Sequence, residues 1–318
     1  MNQSAKPAAP SLARAVGLAI AASLLWATAI VLVKLGLEDI PRLTFASMRY
    51  MVGALTLVVW RTVTMRSPVP QVPSSIWRWL LALGILLYAI VPAAQFISLD
   101  LVDAVTFNFV FQAGIPLVTA LLAGAVLKEP TSRFQWLGVG LIVTGIYLFY
   151  KVIPTGDEAV GLLLAGVAAL GIGGSNLLQR KVMKGQQISA LDATVVPMAL
   201  GSIGLFAVAT LVEPFPSLGG EQVSLILVLG VVTTALAFTL WHQAMRTLNA
   251  LHAGVIASGQ VIEVPILALL ILGESLTADR GLGSIVVLAG ILFVHFSKAA
   301  SARSGPGSSR QRARHLVG

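Results

Sequence analysis

Residues 127–148, LKEPTSRFQWLGVGLIVTGIYL, and residues 272–293, LGESLTADRGLGSIVVLAGILF, read as one segment written twice. At an offset of 145, Leu127 falls on Leu272, Glu129 on Glu274, Leu137 on Leu282, Gly138 on Gly283, Gly145 on Gly290 and Ile146 on Ile291, six identities in 22 positions. Apolar helices match by chance at leucine and isoleucine, so the glutamate and the two glycines carry the comparison. Gly114 over Gly259 extends it upstream. A period this long makes the chain two copies of one unit.

The unit belongs in a membrane. Only 11% of the 318 residues are charged and 57% are hydrophobic, against about 25% charged in an ordinary soluble chain. With a mean hydropathy of +0.89, a water-soluble fold would have to display apolar surface almost everywhere. A spanning helix needs about 20 apolar residues and a spanning strand about 10 that alternate. The apolar runs here are continuous, so the spans are helices.

Charged or Pro/Gly-rich breaks give ten spans, at 15–36, 43–62, 77–99, 104–126, 134–151, 158–180, 188–212, 222–244, 249–272 and 281–297. Each half holds five. Because five is odd, the second half enters the membrane from the opposite side, so the expected fold is an all-α integral membrane protein with ten transmembrane helices as two inverted five-helix repeats. Inverted repeats suit alternating access, because two similar halves can exchange conformations around one site. The expected organisation is an N-terminal segment 1–14, a first repeat 15–151, a second repeat 158–297 and a basic tail 298–318.

Charge placement sets the orientation. Of the 21 Lys and Arg residues, 16 fall in segments on the side of the N-terminus, three on the other side and two within spans or at their ends. That bias puts both termini in the cytoplasm. It also accounts for the formal net charge of +8 without a nucleic-acid partner. The first run, Ala15 to Val33 after Lys6 and Arg14, also imitates a secretory leader, with Ala27-Thr28-Ala29 as a small-x-small site. Its apolar stretch is longer than the roughly 7–15 residues of a leader core.

Several chemistries are excluded. With no cysteine, disulfides, thiol catalysis and cysteine-held metal or iron-sulfur centres disappear together. The four histidines form no His-Glu-x-x-His pattern, and neither a Gly-x-Ser-x-Gly elbow nor a phosphate-binding loop occurs. No catalytic residue, metal site or cofactor is expected. A carrier's rivals are an intramembrane enzyme and a channel or non-transporting scaffold.

Leu25-Trp26-Ala27, Arg49, Pro116 followed by Leu127-Lys128-Glu129 and a Gly-rich span, and a second copy ending Leu272-Gly273-Glu274 resemble the drug/metabolite transporter superfamily, specifically its EamA-type ten-helix carriers. The resemblance covers residues 15–297. Trp26-Ala27 stands where members often have Trp-Gly, and Gln260-Val261 where they often carry Glu-Pro, with Glu263 and Pro265 displaced downstream. The resemblance implies a secondary transporter in the lipid bilayer with a small-molecule substrate, in bacteria commonly exporting amino acids or similar metabolites across the inner membrane. Oligomeric state is left open.

Polar groups at membrane depth are costly and face protein or water, so they are the candidates for a site. Glu263, amid Val261, Ile262, Val264 and Pro265, suits proton coupling or contact with a substrate amine, or a packing hydrogen bond between helices. Ser258 and Gln260 precede it, Gln260 on the same helical face, and suit substrate contact or interhelical bonding. Pro265 should free a backbone carbonyl near Val261. Arg49, about 10 Å into span two, either snorkels outward or holds a substrate carboxylate or an acid. Asn108 and Gln112 on span four and Gln95 on span three suit a polar vestibule or a packing network. Trp26, near mid-span, suits stacking on a ligand or core packing. His252 is placed to relay protons toward Glu263, or is an ordinary interfacial histidine. Lys34 is expected to snorkel, Trp241 and His242 to lie in the interfacial belt, and Glu129 and Glu274 to fix the turns after their spans.

Overall fold

The computed structural model describes residues 10–65, 72–127, 133–150, 154–183 and 188–304, and among these the only regular structure is helical. The first half contains α1 (Leu12–Gly36), α2 (Arg42–Met65), α3 (Trp77–Ile85), α4 (Val91–Leu101), α5 (Ala104–Leu127) and α6 (Arg133–Tyr150). The second contains α7 (Gly156–Met183), α8 (Asp192–Val212), α9 (Gly220–Gly230), α10 (Ala237–Ala244), α11 (Ala250–Ser258), α12 (Gln260–Ile271) and α13 (Ala278–Ser304). The pairs α3/α4, α9/α10 and α11/α12 each make one span. Eight spans are long and apolar enough to cross a membrane, and two shorter apolar stretches, Ala104–Val118 and Phe134–Tyr150, complete the ten. Leu211, 85% exposed, typifies the outward apolar surface that lipid covers. Lys128, Glu129 and the tail beyond 304 lie outside the described residues.

Three departures from continuous helix matter. α3 and α4 are joined by a π turn at Leu86–Ile90, and α9 and α10 by another at Val231–Leu236. Their first residues are 145 apart, the offset of the sequence repeat. The ninth span, expected to be unbroken, is interrupted at Gly259, whose amide bonds the Ile256 carbonyl three residues back at 3.0 Å.

The inversion is visible where α6 meets α13. A Cβ on Gly290 would stand 2.7 Å from the Gly138 carbonyl oxygen, and one on Gly145 would stand 2.8 Å from that of Gly283. Moving each residue by 145 into the other half turns the first contact into the second. Residue numbers rise along α6 as they fall along α13, so the helices are antiparallel and the halves run oppositely through the membrane. Only glycine allows this approach, since the neighbouring atoms include backbone that cannot rotate away. Gly290→Ala should therefore destabilise by roughly 1–3 kcal/mol, the range for overpacking, and Gly145→Ala by a similar amount. Thermal unfolding in detergent measures this, and unchanged midpoints would contradict the packing.

The halves also interlock. α1 packs on α10, α11 and α12 of the other half, while α7 packs on α3, α4 and α5. Buried alanines at 15, 19, 22 and 27 let α1 sit within the bundle. α2 and α8 pair at the centre.

Candidate functional site

Ser23 and Trp26 lie one turn apart on α1, facing the second half. The Ser23 hydroxyl donates to Glu263 Oε2 at 2.7 Å. Glu263 sits one turn after the break at Gly259, where a Cβ would meet its Oε1 at 3.1 Å. The missing side chain thus leaves room for the carboxylate to bridge α12 to α1. Ser258 instead donates to its own helix, at the Val255 carbonyl, 2.7 Å.

Beside this bridge the Asn108 amide donates to the Gln260 carbonyl at 2.8 Å. The sequence places a carbonyl freed by Pro265 near Val261, and the side chain of Asn108 takes the carbonyl of the neighbouring Gln260. Asn108 is 1% exposed, so it ties α5 to α12 and does not line a vestibule. Its Oδ1 has no hydrogen-bond partner. Gln112 and Gln260 are buried and Gln95 is half-buried, and no hydrogen bond joins the Gln95 or Gln112 side chains to this group among the described residues. His252 is exposed and its backbone amide caps α11 through the Asn249 side chain at 3.0 Å. Eleven residues separate it from Glu263, about 16 Å of helix, so the structure does not bring the two together.

Arg49 is 8% exposed and does not snorkel. Its Nε donates to Thr234 Oγ1 at 3.1 Å, and its guanidinium lies 5.2 Å from the Tyr50 ring centroid. The π turn makes this possible. The Thr233 and Thr234 hydroxyls both donate to the Leu229 carbonyl at 2.9 Å, which fixes Thr234 as an acceptor for Arg49. Gly53 and Gly230 bring the chains together, since a Cβ on Gly230 would come 2.9 Å from the Arg49 carbonyl oxygen. In the other π turn, Tyr88 stands at the position of Thr233 in the repeat.

Aromatic rings connect these groups. Trp26 meets Phe238 at 5.4 Å and Trp241 at 5.2 Å between centroids, Phe238 meets Tyr88 at 6.3 Å, and Tyr88 meets Tyr50 at 5.8 Å. Trp241 and His242, expected at the interfacial belt, turn inward instead; His242 stacks on Phe238 at 6.2 Å. Tyr50, Tyr88, Thr234 and Phe238 were not singled out by the sequence, because isolated aromatics and threonines in apolar helices look like filling. No feature of the sequence marks the π turns that place them.

The two ends of the bundle are clamped differently. At the end away from the termini, Glu213 accepts from the Leu43 amide at 3.0 Å and from the Thr44 amide at 2.9 Å, and Glu274 accepts from the Ala104 and Val105 amides at 2.8 and 3.0 Å. These carboxylates cap α2 and α5 across the halves, where negative charge suits a helix N-terminus. Glu274 was expected to serve its own turn, but the short α4–α5 connection leaves donors of the other half beside it. Arg280 pairs with Asp103 at 3.2 Å and Arg42 with Asp100 at 2.9 Å, and Lys34, expected to snorkel, donates to the Leu99 carbonyl at 2.8 Å. At the end with the termini, Arg61 of α2 forms a buried ion pair with Asp192 of α8.

Known proteins share this architecture. The chain is 24% identical over 294 residues to a protein of Bacillus subtilis (strain 168) described as an uncharacterized transporter, YoaV, covering 87% of this chain and 95% of that one. It is 22% identical over 289 residues to a Salmonella typhimurium protein described as a "probable amino-acid metabolite efflux pump", covering 86% and 92%. One crystal structure shares the fold at 15% identity, with a TM-score of 0.65 over 89% of this chain and 96% of the other. The family model for EamA-like transporters matches twice, at residues 13–151 and 159–296, and with that double match on two inverted halves the chain belongs to the EamA-like transporter family.

Proposed function

We propose that the protein exports a small metabolite, an amino acid or similar compound, across the bacterial inner membrane by alternating access, coupled to protons through Glu263. One observation carries this: an ionisable carboxylate bridges first-half α1 and second-half α12 at membrane depth, where its hydrogen bond depends on how the halves meet. The description of the Salmonella relative supports the substrate class and the outward direction. Arg49 and Trp26 contact substrate; Gln95, Gln112, Ser258 and Gln260 line its route, and Asn108 supports it through Gln260. His252 serves the inner approach of the proton path.

Counterflow in proteoliposomes tests the carrier. Labelled amino acid should exchange against unlabelled amino acid with no chemical change, whereas an enzyme would convert it and a scaffold would do neither. Orientation has its own test on this cysteine-free chain. Cysteines at Gly156 and Gly219 should label from outside intact cells, and one at Ser304 only after permeabilisation; labelling of Ser304 in intact cells overturns the proposed topology.

A further inference from the structure

Arg49 is more than nine-tenths buried and has no carboxylate beside it. Among the described residues its only contacts of this kind are Thr234, reached by Nε, and the face of Tyr50, which leaves both terminal guanidinium nitrogens without a hydrogen-bond partner. The hydroxyls of Tyr50 and Tyr88 also lack a partner among the described residues, although both residues are buried, at 9% and 2% exposure. The three side chains thus adjoin in one ring-lined region between α2, the first π turn and α10, with the guanidinium 5.2 Å from the Tyr50 ring centroid and the Tyr50 and Tyr88 centroids 5.8 Å apart. Such groups are costly inside a membrane unless something satisfies them. Phe238 and Trp26, both half-buried, continue the region as ring faces.

We propose that Arg49, Tyr50 and Tyr88 form a recognition site for a carboxylate, and that Phe238 and Trp26 hold a flat apolar group of the same molecule. This deepens the export reading above and rests on it for the claim that the ligand is cargo. The single positive charge fits a monoanion better than a phosphate dianion, because it would leave one charge of the dianion uncompensated. The guanidinium supplies two parallel donors for the carboxylate oxygens, and the two phenols supply the rest. Thr234 is a positioning residue: it holds Nε and so turns the terminal nitrogens toward the rings. The opposed ring faces favour a planar substituent over an aliphatic one.

The test uses purified full-length protein in detergent with three probes, phenylacetate, phenylacetamide and acetate, read by thermal shift and by tryptophan fluorescence. Phenylacetate should raise the unfolding midpoint, while the neutral amide and the ringless acid at equal concentration should not. Tyr50→Phe and Tyr88→Phe should each weaken phenylacetate binding roughly tenfold, as loss of a charge-assisted hydrogen bond does. Arg49→Gln should abolish it, and Arg49→Lys should restore only part, because a lysine lacks the paired donors. Phe238→Leu should weaken phenylacetate binding in a protein that still folds. Equal stabilisation by phenylacetamide, no response to phenylacetate in the parent, or undiminished binding by a folded Arg49→Gln or Tyr88→Phe protein overturns the site. Phenylacetate binding without counterflow of any solute would overturn the carrier reading and leave the site standing; counterflow untouched by Arg49→Gln would do the reverse.

Discussion

Glu263→Gln is expected to abolish accumulation driven by a proton gradient while leaving a folded protein that still exchanges substrate for substrate. Glutamine keeps the shape of the side chain, and its carbonyl can still accept from the Ser23 hydroxyl that Glu263 now binds at 2.7 Å. Titration is what disappears. A carboxyl held between helices of opposite halves meets water when those helices part and apolar neighbours when they close. The two states therefore hold its proton with different affinity, as coupling requires. Ser23→Ala removes the partner and keeps the acid, so it should shift the pH dependence of transport while retaining the drive. The measurements are uptake into proteoliposomes under an imposed pH difference, and counterflow without one. Full accumulation by Glu263→Gln would make the residue a packing group and send the search for coupling elsewhere.

Asp192→Ala is expected to have the largest effect on stability, about 3–5 kcal/mol, the cost of breaking a buried pair. The Arg61 and Asp192 side chains are 5% and 7% exposed, and the contact includes a second approach of Arg61 Nη2 to Asp192 Oδ2 at 3.5 Å. Removing the acid leaves the guanidinium charge in a buried position without its carboxylate. Replacing both, as Arg61→Met with Asp192→Leu, should recover most of the loss, since well-packed apolar residues often substitute for a buried pair at little cost. Unfolding midpoints in detergent report the difference. A single mutant as stable as the parent would show the pair to be solvated.

The spans were legible because hydropathy and charge act locally: a run of apolar residues must become helix where lipid offers no hydrogen bonds. The inversion was legible from Gly138, Gly145, Gly283 and Gly290 because close packing leaves no alternative residue. Partners across the halves were another matter. Asn108 and Gln260 were both marked as polar groups of interest, yet only the fold could set one against the other. Glu274 looked like a turn residue because the partners of its carboxylate are backbone amides, which carry no sequence signature. The π turns escaped because a widened turn costs little and has no composition of its own, and with them went Tyr88 and Thr234.

The interlocking of α1 and α7 bears on mechanics. A hinge drawn between the sequence repeats would cut through the contacts of α1 with α10–α12 and of α7 with α3–α5. Any motion that separates the sequence repeats therefore has to slide α1 and α7 past helices of the opposite repeat.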